Sequence, residues 1–228
     1  MKHENMVRRY ILLLIGLIIN GLGVALITKA NLGTSPISSI PYVLSLSFKP
    51  TIGMFTMIFN LLLVAAQICI LRKKFPLADL LQIPVTFLFS LFIDIFMLLL
   101  EKIDPASYPE KLIWLLVGCV VLGFGVYTEV AANVVMLPGE AFVRAVTTIT
   151  SIDFGRMKVI FDVSCTAIAA LIGFIISGGL IGVREGTLIA ALFLGTFVRF
   201  CRKLLLPLEA KLLAQNYSAD HTQGENNI

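Results

Sequence analysis

Five ionisable residues lie within or beside long apolar stretches of this chain, where a charge is energetically costly. They are Asp94, Glu129, Glu140, Lys158 and Asp162. A carboxylate in such a setting pairs with a cation, takes up a proton or faces water, and all three states suit the binding of an ion or a polar solute. Lys158 and Asp162 are four residues apart and share one helix face. They fit either a structural ion pair or a carboxylate coupled to a proton or cation at Asp162.

The common signatures of enzyme sites have no counterpart in the sequence. The two histidines, His3 and His221, lie in the terminal segments. The chain has no phosphate-binding loop, no zinc-protease motif and no nucleophile elbow. The four cysteines stand singly, without metal or redox spacing. We therefore expect no enzymatic activity, no metal site and no cofactor.

The charged residues are set in a strongly hydrophobic chain. Hydrophobic residues make up 58% of the 228 residues, charged residues make up 14%, and the mean hydropathy is +0.94. The apolar runs are about 18 to 24 residues long, which is enough for helices to cross the hydrocarbon core of a bilayer. The sequence predicts six transmembrane helices, at about 10–27, 51–71, 77–100, 111–132, 154–176 and 187–206.

An internal repeat relates these helices. Residues 10–71 align without a gap with residues 112–173, and 15 of the 62 aligned positions are identical. The matches include Gly21 with Gly123, Asn31 with Asn133 and Pro36 with Pro138. Polar Asn60 aligns with acidic Asp162. The third helices align less well, with an offset near 105. Because each copy holds three helices, the second copy enters the membrane from the opposite side, as in many transporters.

The predicted fold is an all-α membrane protein of two inverted three-helix repeats, each with a broken or re-entrant segment after its first helix. The predicted divisions are a cytoplasmic N-terminus (1–9), the first repeat (10–103), a connector (104–110), the second repeat (111–207) and a polar cytoplasmic tail (208–228). Glycines recur on the first helix of each repeat, where they favour close helix approach. These are Gly16, Gly21, Gly23, Gly118, Gly123 and Gly125.

Each break consists of an asparagine followed five residues later by a proline. The residues concerned are Asn31, Ser35 and Pro36 in the first copy, and Asn133, Pro138 and Glu140 in the second. Pro36 and Pro138 fit the first turn of a short helix, with Ser35 as a candidate cap. Glu140 and Arg144 have the spacing of an ion pair. Paired breaks at equivalent positions point to a transporter's binding site, and a surface loop with an interfacial helix is the alternative.

The distribution of lysine and arginine predicts the orientation. With the N-terminus inside, 13 of the 18 Lys and Arg residues lie on the cytoplasmic side. The positive-inside rule therefore places both termini in the cytoplasm. The expected partners are the lipid bilayer and a small solute, with protons or a cation as candidate coupling ions. A thin bundle of this size is compatible with a homodimer. No basic face suggests binding to nucleic acid.

Several short motifs along residues 8–207 are typical of one family. They are Arg8-Arg-Tyr10, Gly21-Leu-Gly-Val-Ala-Leu26, Ala30-Asn-Leu-Gly-Thr-Ser-Pro36, Thr51-Ile-Gly53, Asn60, Gln67, Gln82, Asp94, Pro138, Glu140, Phe154-Gly-Arg-Met-Lys158, Phe161-Asp162 and Gly186-Thr187. With these motifs the chain resembles the YczE/YyaS/YitT-type family of bacterial multi-pass membrane proteins, and within it the YczE-like branch. The resemblance implies a location in the bacterial inner membrane. Some members look like transporters by architecture, and others are linked to antibiotic production as membrane accessory factors.

The sequence favours a small secondary transporter or permease that works by alternating access, with its site between the two breaks. The candidate substrate- or ion-binding residues are Asn31, Ser35, Pro36, Asn60, Asp94, Glu129, Asn133, Pro138, Glu140, Lys158 and Asp162. The alternative is a non-transporting membrane factor that assists or regulates a partner enzyme or an antibiotic-biosynthesis system. In that case the charged pairs are structural, and basic segments such as residues 72–74 are contact surfaces.

Overall fold

The computed structural model describes residues 2–194 and residue 197, and this part of the chain is helical, without a β-strand. Its long helices are α1 (Lys2–Lys29), α3 (Ile52–Leu71), α4 (Gln82–Leu99), α5 (Tyr108–Ala132) and α7 (Phe154–Ser177). The short helices are α2 (Ser39–Ser47), α6 (Pro138–Thr150) and the described portion of α8 (Glu185–Leu194). Turns of 3₁₀ helix cover Pro36–Ser38, Arg72–Lys74 and Leu77–Leu81.

Five of the described helical segments are long and apolar enough to cross a membrane. They are Met6–Lys29, Ile52–Lys74, Leu77–Leu99, Tyr108–Ala132 and Phe154–Ser177. The first five predicted spans are therefore confirmed, although α1 begins at Lys2 rather than near residue 10. The predicted sixth span starts in α8, and most of it lies outside the described residues, as does the predicted tail at 208–228. Large apolar side chains such as Leu62 and Ile175 are 63% and 71% exposed on the outer faces, which suits contact with lipid.

Helices α1 and α5 form the centre of the molecule and pack antiparallel with close backbone contact. A Cβ atom added to Gly16 would lie 2.9 Å from the backbone nitrogen of Glu129. One added to Gly23 would lie 2.6 Å from the backbone nitrogen of Leu122. Neither distance leaves room for a side chain. Glycine at both positions is thus what permits the helices to approach this closely.

The glycines of α5 make the same contacts in the opposite direction. A Cβ atom added to Gly118 would lie 2.7 Å from the backbone nitrogen of Ile27, and one added to Gly125 would lie 2.7 Å from that of Asn20. With an offset of 102 residues, these are the counterparts of the two contacts made by the α1 glycines. The prediction that the repeated glycines permit close helix approach between the two halves is confirmed for these four glycines.

The short helices α2 and α6 pack across the molecule. Helix α2 contacts α7, and α6 contacts α3. The 3₁₀ turn before α2 meets the first turn of α6, where the Ile37 side chain fills the space beside Gly139. Helix α4 completes the packing against α1 and α3. Each short helix thus contacts a long helix from the other half of the chain.

Candidate functional site

A cavity of about 800 Å³ lies where the two halves of the chain meet. Its walls come from α1, α3, α4, α5, α7 and α8, and from residues beside the N-termini of α2 and α6. Most of the described wall is apolar, with Phe59, Phe89 and Phe154 as its largest side chains. This size and composition are typical of pockets that hold a small organic ligand.

The cavity gathers six of the predicted site residues. They are Ser35, Pro36, Asn60, Glu140, Lys158 and Asp162. The sequence interpretation missed Asn20, Ser38 and Thr56, which also line the cavity. Ser38 and Thr56 lie 102 residues before Glu140 and Lys158, so the repeat offset is the signal that could have identified them. Repeat-equivalent positions therefore supply polar groups to one cavity from both halves.

Lys158 and Asp162 form the predicted ion pair on α7. The Lys158 Nζ atom lies 2.6 Å from Asp162 Oδ1, and the two side chains are 28% and 23% exposed. The start of α7 is fixed by Asp153, whose carboxylate accepts hydrogen bonds from the backbone N–H groups of Gly155 and Arg156. Such a half-buried pair beside a cavity can exchange partners with a charged solute, because neither group is sealed in the core.

Glu140 lies in the first turn of α6, where a carboxylate is favoured by the helix dipole. Its side chain lines the larger cavity, and no residue in the described part of the chain donates a hydrogen bond to its carboxylate. The expected ion pair with Arg144 is wrong. The Arg144 side chain lines a second cavity, and its Nη1 atom lies 3.9 Å from Met136 Sδ. The two side chains diverge although they are one turn apart.

The second cavity, of about 330 Å³, lies between the ends of α3, α4, α5 and α6 and is more polar. Gln67 and Gln82 line it and exchange two amide hydrogen bonds, of 3.1 and 3.2 Å. Gln67 Nε2 also donates to the carbonyl oxygen of Pro138 at 3.2 Å. The amide pair thus connects α3 and α4 to the start of α6, as expected of interhelical polar residues.

Glu129 lies between the two cavities and is 2% exposed. Its Oε2 atom accepts a hydrogen bond from Asn20 Nδ2 at 2.8 Å, and its Oε1 atom accepts one from the backbone N–H of Leu137 at 3.0 Å. Glu129 lines the second cavity, whereas Asn20 and Leu137 line the first. The carboxylate therefore ties α1 to the N-terminus of α6 across the layer that divides the two spaces.

The two break asparagines do not line the larger cavity. Asn31 and Asn133 have left-handed backbone conformations, with φ of 55° and 47°, which asparagine adopts readily at a helix end. Their backbone N–H groups donate to Thr28 and Val130, three residues earlier, at 3.2 and 3.1 Å. Both side chains are exposed, and that of Asn133 lines the second cavity. The asparagines shape the site by ending α1 and α5.

The prolines begin the next helical segments, as predicted. Pro36 occupies the first turn of the 3₁₀ segment before α2, and Pro138 begins α6. Pro36 lines the larger cavity and Pro138 does not. The proposed capping role of the Ser35 side chain is wrong, because its hydroxyl donates to Ser38 Oγ at 2.9 Å and makes no cap hydrogen bond. Two adjacent hydroxyls satisfy each other here, so neither reaches the backbone.

Asp94 lies away from both cavities and joins two helices. Its Oδ2 atom accepts a hydrogen bond from Thr51 Oγ1 at 2.7 Å, and its Oδ1 atom accepts one from the backbone N–H of Gly53 at 2.8 Å. Thr51 also caps α3 by accepting from the backbone N–H of Met54. A carboxylate at a helix N-terminus is stabilising. Asp94 therefore anchors the end of α4 to the start of α3.

The site offers the Lys158–Asp162 ion pair, the Glu140 carboxylate, which has no described hydrogen-bond donor, and the Asn60 amide, which lies among apolar side chains. These groups suit the reversible binding of a polar or charged solute. Among residues 2–194 and 197, no group of three or more His, Cys, Asp or Glu side chains is placed to hold a metal ion. The spans and the cavity together define a multi-pass helical membrane protein.

The chain belongs to a family of membrane proteins without an assigned function. The family model described as "Family of unknown function (DUF6198)" matches residues 7–203. The chain is similar to the "Uncharacterized membrane protein YczE" of Bacillus subtilis (strain 168), with 30% identity over 219 residues. The alignment covers 96% of this chain and 93% of the relative. The YczE-like resemblance is thus confirmed. No solved structure matches the chain.

Proposed function

We propose that this protein is a secondary transporter that moves a small solute by alternating access. The observation that carries the proposal is the cavity of about 800 Å³, which is lined by residues of both halves and by both breaks. Transporters built from inverted repeats hold their substrate at this kind of interface, beside interrupted helices. In this proposal the protein lies in the bacterial inner membrane with both termini in the cytoplasm, and it acts without a cofactor.

The proposal includes two inverted three-helix repeats, with α1, α3 and α4 in the first and α5, α7 and the helix that starts with α8 in the second. The packing of the glycines supports this arrangement. In the repeat alignment Gly16 corresponds to Gly118 and Glu129 corresponds to Ile27, and the Gly16–Glu129 and Gly118–Ile27 contacts are both present. The cross-packing of α2 on α7 and of α6 on α3 is exchanged in the same way. Antiparallel packing of α1 on α5 is what a two-fold axis in the membrane plane produces.

The third helices support the same relationship. A Cβ atom added to Gly21 would lie 2.8 Å from Phe92 Cβ, and one added to Gly123 would lie 2.7 Å from Phe197 Cδ1. Gly21 and Gly123 are 102 residues apart, whereas Phe92 and Phe197 are 105 apart. Both offsets are those of the sequence alignment. The first and third helices of each proposed repeat therefore pack through equivalent residues.

Alternating access needs two gates of unequal strength in any one state. In the proposed orientation the second cavity opens to the cytoplasm, and a layer that contains Glu129 separates it from the larger cavity. Gln67 and Ala145 line this second cavity. Their equivalents at the opposite end, Ala169 and Val43, are fully buried in one apolar cluster. This asymmetry supports a state with a thin cytoplasmic gate and a thick external gate.

Backbone contacts reinforce the external gate. The N–H of Gly186 donates to the carbonyl oxygen of Leu32 at 2.9 Å, and the N–H of Thr34 donates to Thr187 Oγ1 at 3.3 Å. These bonds join the start of α8 to the segment after α1. Opening toward the outside would break them, and the pseudo-symmetric rearrangement would close the second cavity.

Single-cysteine labelling tests the proposal in a background that lacks the four native cysteines. Ser38→Cys and Thr56→Cys place the thiol in the larger cavity, and Leu62→Cys places it on the lipid-facing surface as a control. A membrane-impermeant thiol reagent is applied to each side of oriented vesicles. We expect both cavity positions to react from the cytoplasmic side, and to react from the outside in a minor state that a bound solute changes.

The opposite result would refute transport. If the cavity positions react from neither side, or only ever from one side under every condition, the cavity is not part of an alternating pathway. The accessory-factor alternative would then be tested with a variant of the basic segment Arg72–Lys74 in which all three residues are neutral. Loss of a partner interaction with unchanged membrane topology would support that alternative.

A further inference from the structure

The polar groups in the larger cavity differ in charge between the two halves. Three positions of the first half that line the cavity carry neutral residues, and the equivalent positions of the second half carry charged residues. The pairs are Ser38 with Glu140, Thr56 with Lys158 and Asn60 with Asp162. The helix packing is therefore repeated in the two halves and the charges are not, so the repeated packing does not by itself require charged residues at these positions.

The charges in the described wall do not balance. Lys158 neutralises Asp162, since its Nζ atom lies 2.6 Å from Asp162 Oδ1. Glu140 is left without a described cation within salt-bridge distance. When all three groups are ionised, the described residues that line the cavity therefore carry two carboxylates and one ammonium, an excess of one negative charge. This excess attracts a cation and disfavours an anion.

The rest of the described wall indicates the shape of that cation. Phe59, Phe89 and Phe154 line the cavity together with aliphatic side chains. A volume of about 800 Å³ is far larger than an inorganic ion needs and matches an organic molecule. Aromatic rings also attract cations through their faces. An apolar wall with one free carboxylate suits a ligand with an apolar body and one positive charge.

We propose that the solute is a small organic cation, such as a protonated amine or a quaternary ammonium with an apolar body, and that Glu140 is its counter-ion. This inference names the substrate class of the proposed transporter and rests on that function. In this proposal Lys158 pairs with Asp162, so that Glu140 is the carboxylate available to the ligand.

A pair of probes with the same shape and opposite charge tests the inference. Tetraphenylphosphonium and tetraphenylborate are offered to the purified protein, and binding is measured by equilibrium dialysis against empty micelles. We expect the cation to bind and the anion to bind at least about tenfold more weakly, which corresponds to about 1.4 kcal/mol. Equal or tighter binding of the anion would overturn the inference.

Variants locate the binding charge. Glu140→Gln keeps the shape of the side chain and should weaken tetraphenylphosphonium binding by about tenfold or more. Glu101→Gln, at an exposed position outside the cavity, makes the same change in net charge and should have no effect. Glu140→Ser, which copies Ser38, replaces the first variant if Glu140→Gln does not accumulate. Unchanged affinity in the variant used would rule out Glu140 as the counter-ion.

The two proposals fail separately. If cysteine labelling alternates between the two sides but tetraphenylphosphonium does not bind, the substrate class is wrong and transport remains. If the cation binds through Glu140 but labelling never alternates, the site is a binding site and transport is wrong. Cation-dependent change in labelling, absent in the Glu140 variant, would support both.

Discussion

The Ile37 side chain packs against Gly139, the residue that occupies the equivalent position 102 residues later. Residues related by a two-fold axis touch each other only where the axis passes between them. The contact therefore marks the axis of the proposed repeats at the point where the two breaks meet. Because the axis of inverted repeats lies in the membrane plane, the proposal places both breaks near the middle of the bilayer.

This contact predicts a rescue experiment. Gly139→Ile should destabilise the protein by about 1–3 kcal/mol, since Ile37 already fills the available space. Adding Ile37→Gly exchanges the two residues across the axis and should recover most of the loss. The midpoint of thermal unfolding in detergent is the measurement. If the double variant is no more stable than Gly139→Ile alone, the two positions are not interchangeable and the axis lies elsewhere.

The glycines at the α1–α5 contact should be equally intolerant of substitution in the two halves. A Cβ atom at Gly23 or Gly125 would lie 2.6 to 2.7 Å from backbone nitrogen of the other helix. Gly23→Ala and Gly125→Ala should each cost about 1–3 kcal/mol, because backbone cannot move aside cheaply. Gly179→Ala is the matched control, since nothing lies within 4 Å of a Cβ atom there. Unfolding midpoints that match the control would contradict the close packing.

Replacing one member of the ion pair on α7 should destabilise the protein more than replacing both members. Asp162→Asn leaves Lys158 without its partner and should destabilise the protein by about 1–2 kcal/mol. This is less than the roughly 3–5 kcal/mol expected when one partner of a fully buried ion pair is removed, because both groups are partly exposed. Adding Lys158→Thr copies the residues at the equivalent positions of the first half, Asn60 and Thr56, and should restore the unfolding midpoint. A double variant less stable than Asp162→Asn would mean that the pair itself holds the fold.

Asp94 should prove structural and not ligand-binding. Asp94→Ala removes the acceptor for Thr51 Oγ1 and for the backbone N–H of Gly53, and should destabilise the protein by about 1–2 kcal/mol. Its affinity for tetraphenylphosphonium should stay unchanged, because Asp94 does not line the cavity. Dialysis and thermal unfolding on the same sample give both values. If Asp94→Ala weakened tetraphenylphosphonium binding without lowering the unfolding midpoint, Asp94 would be part of the binding site.

The sequence could predict the first five spans, the two breaks and their prolines, the repeated glycines and the Lys158–Asp162 pair. These follow from local rules, namely hydrophobic length, proline geometry and the four-residue spacing of a helix face. The repeat offset also held enough information to add Ser38 and Thr56 to the site. The same spacing rule failed for Glu140 and Arg144, whose side chains end in different cavities.

Only the tertiary structure decided what each polar residue does. The sequence shows that Asp94 and Glu129 are carboxylates among apolar residues, but their partners come from other segments of the chain. Asp94 bonds to the start of α3, and Glu129 bonds to Asn20 on α1 and to the start of α6. The energetic cost of a charge in an apolar setting dictates that a partner or a cavity must exist. Which of the two it is depends on how the helices pack, and local sequence does not encode that packing.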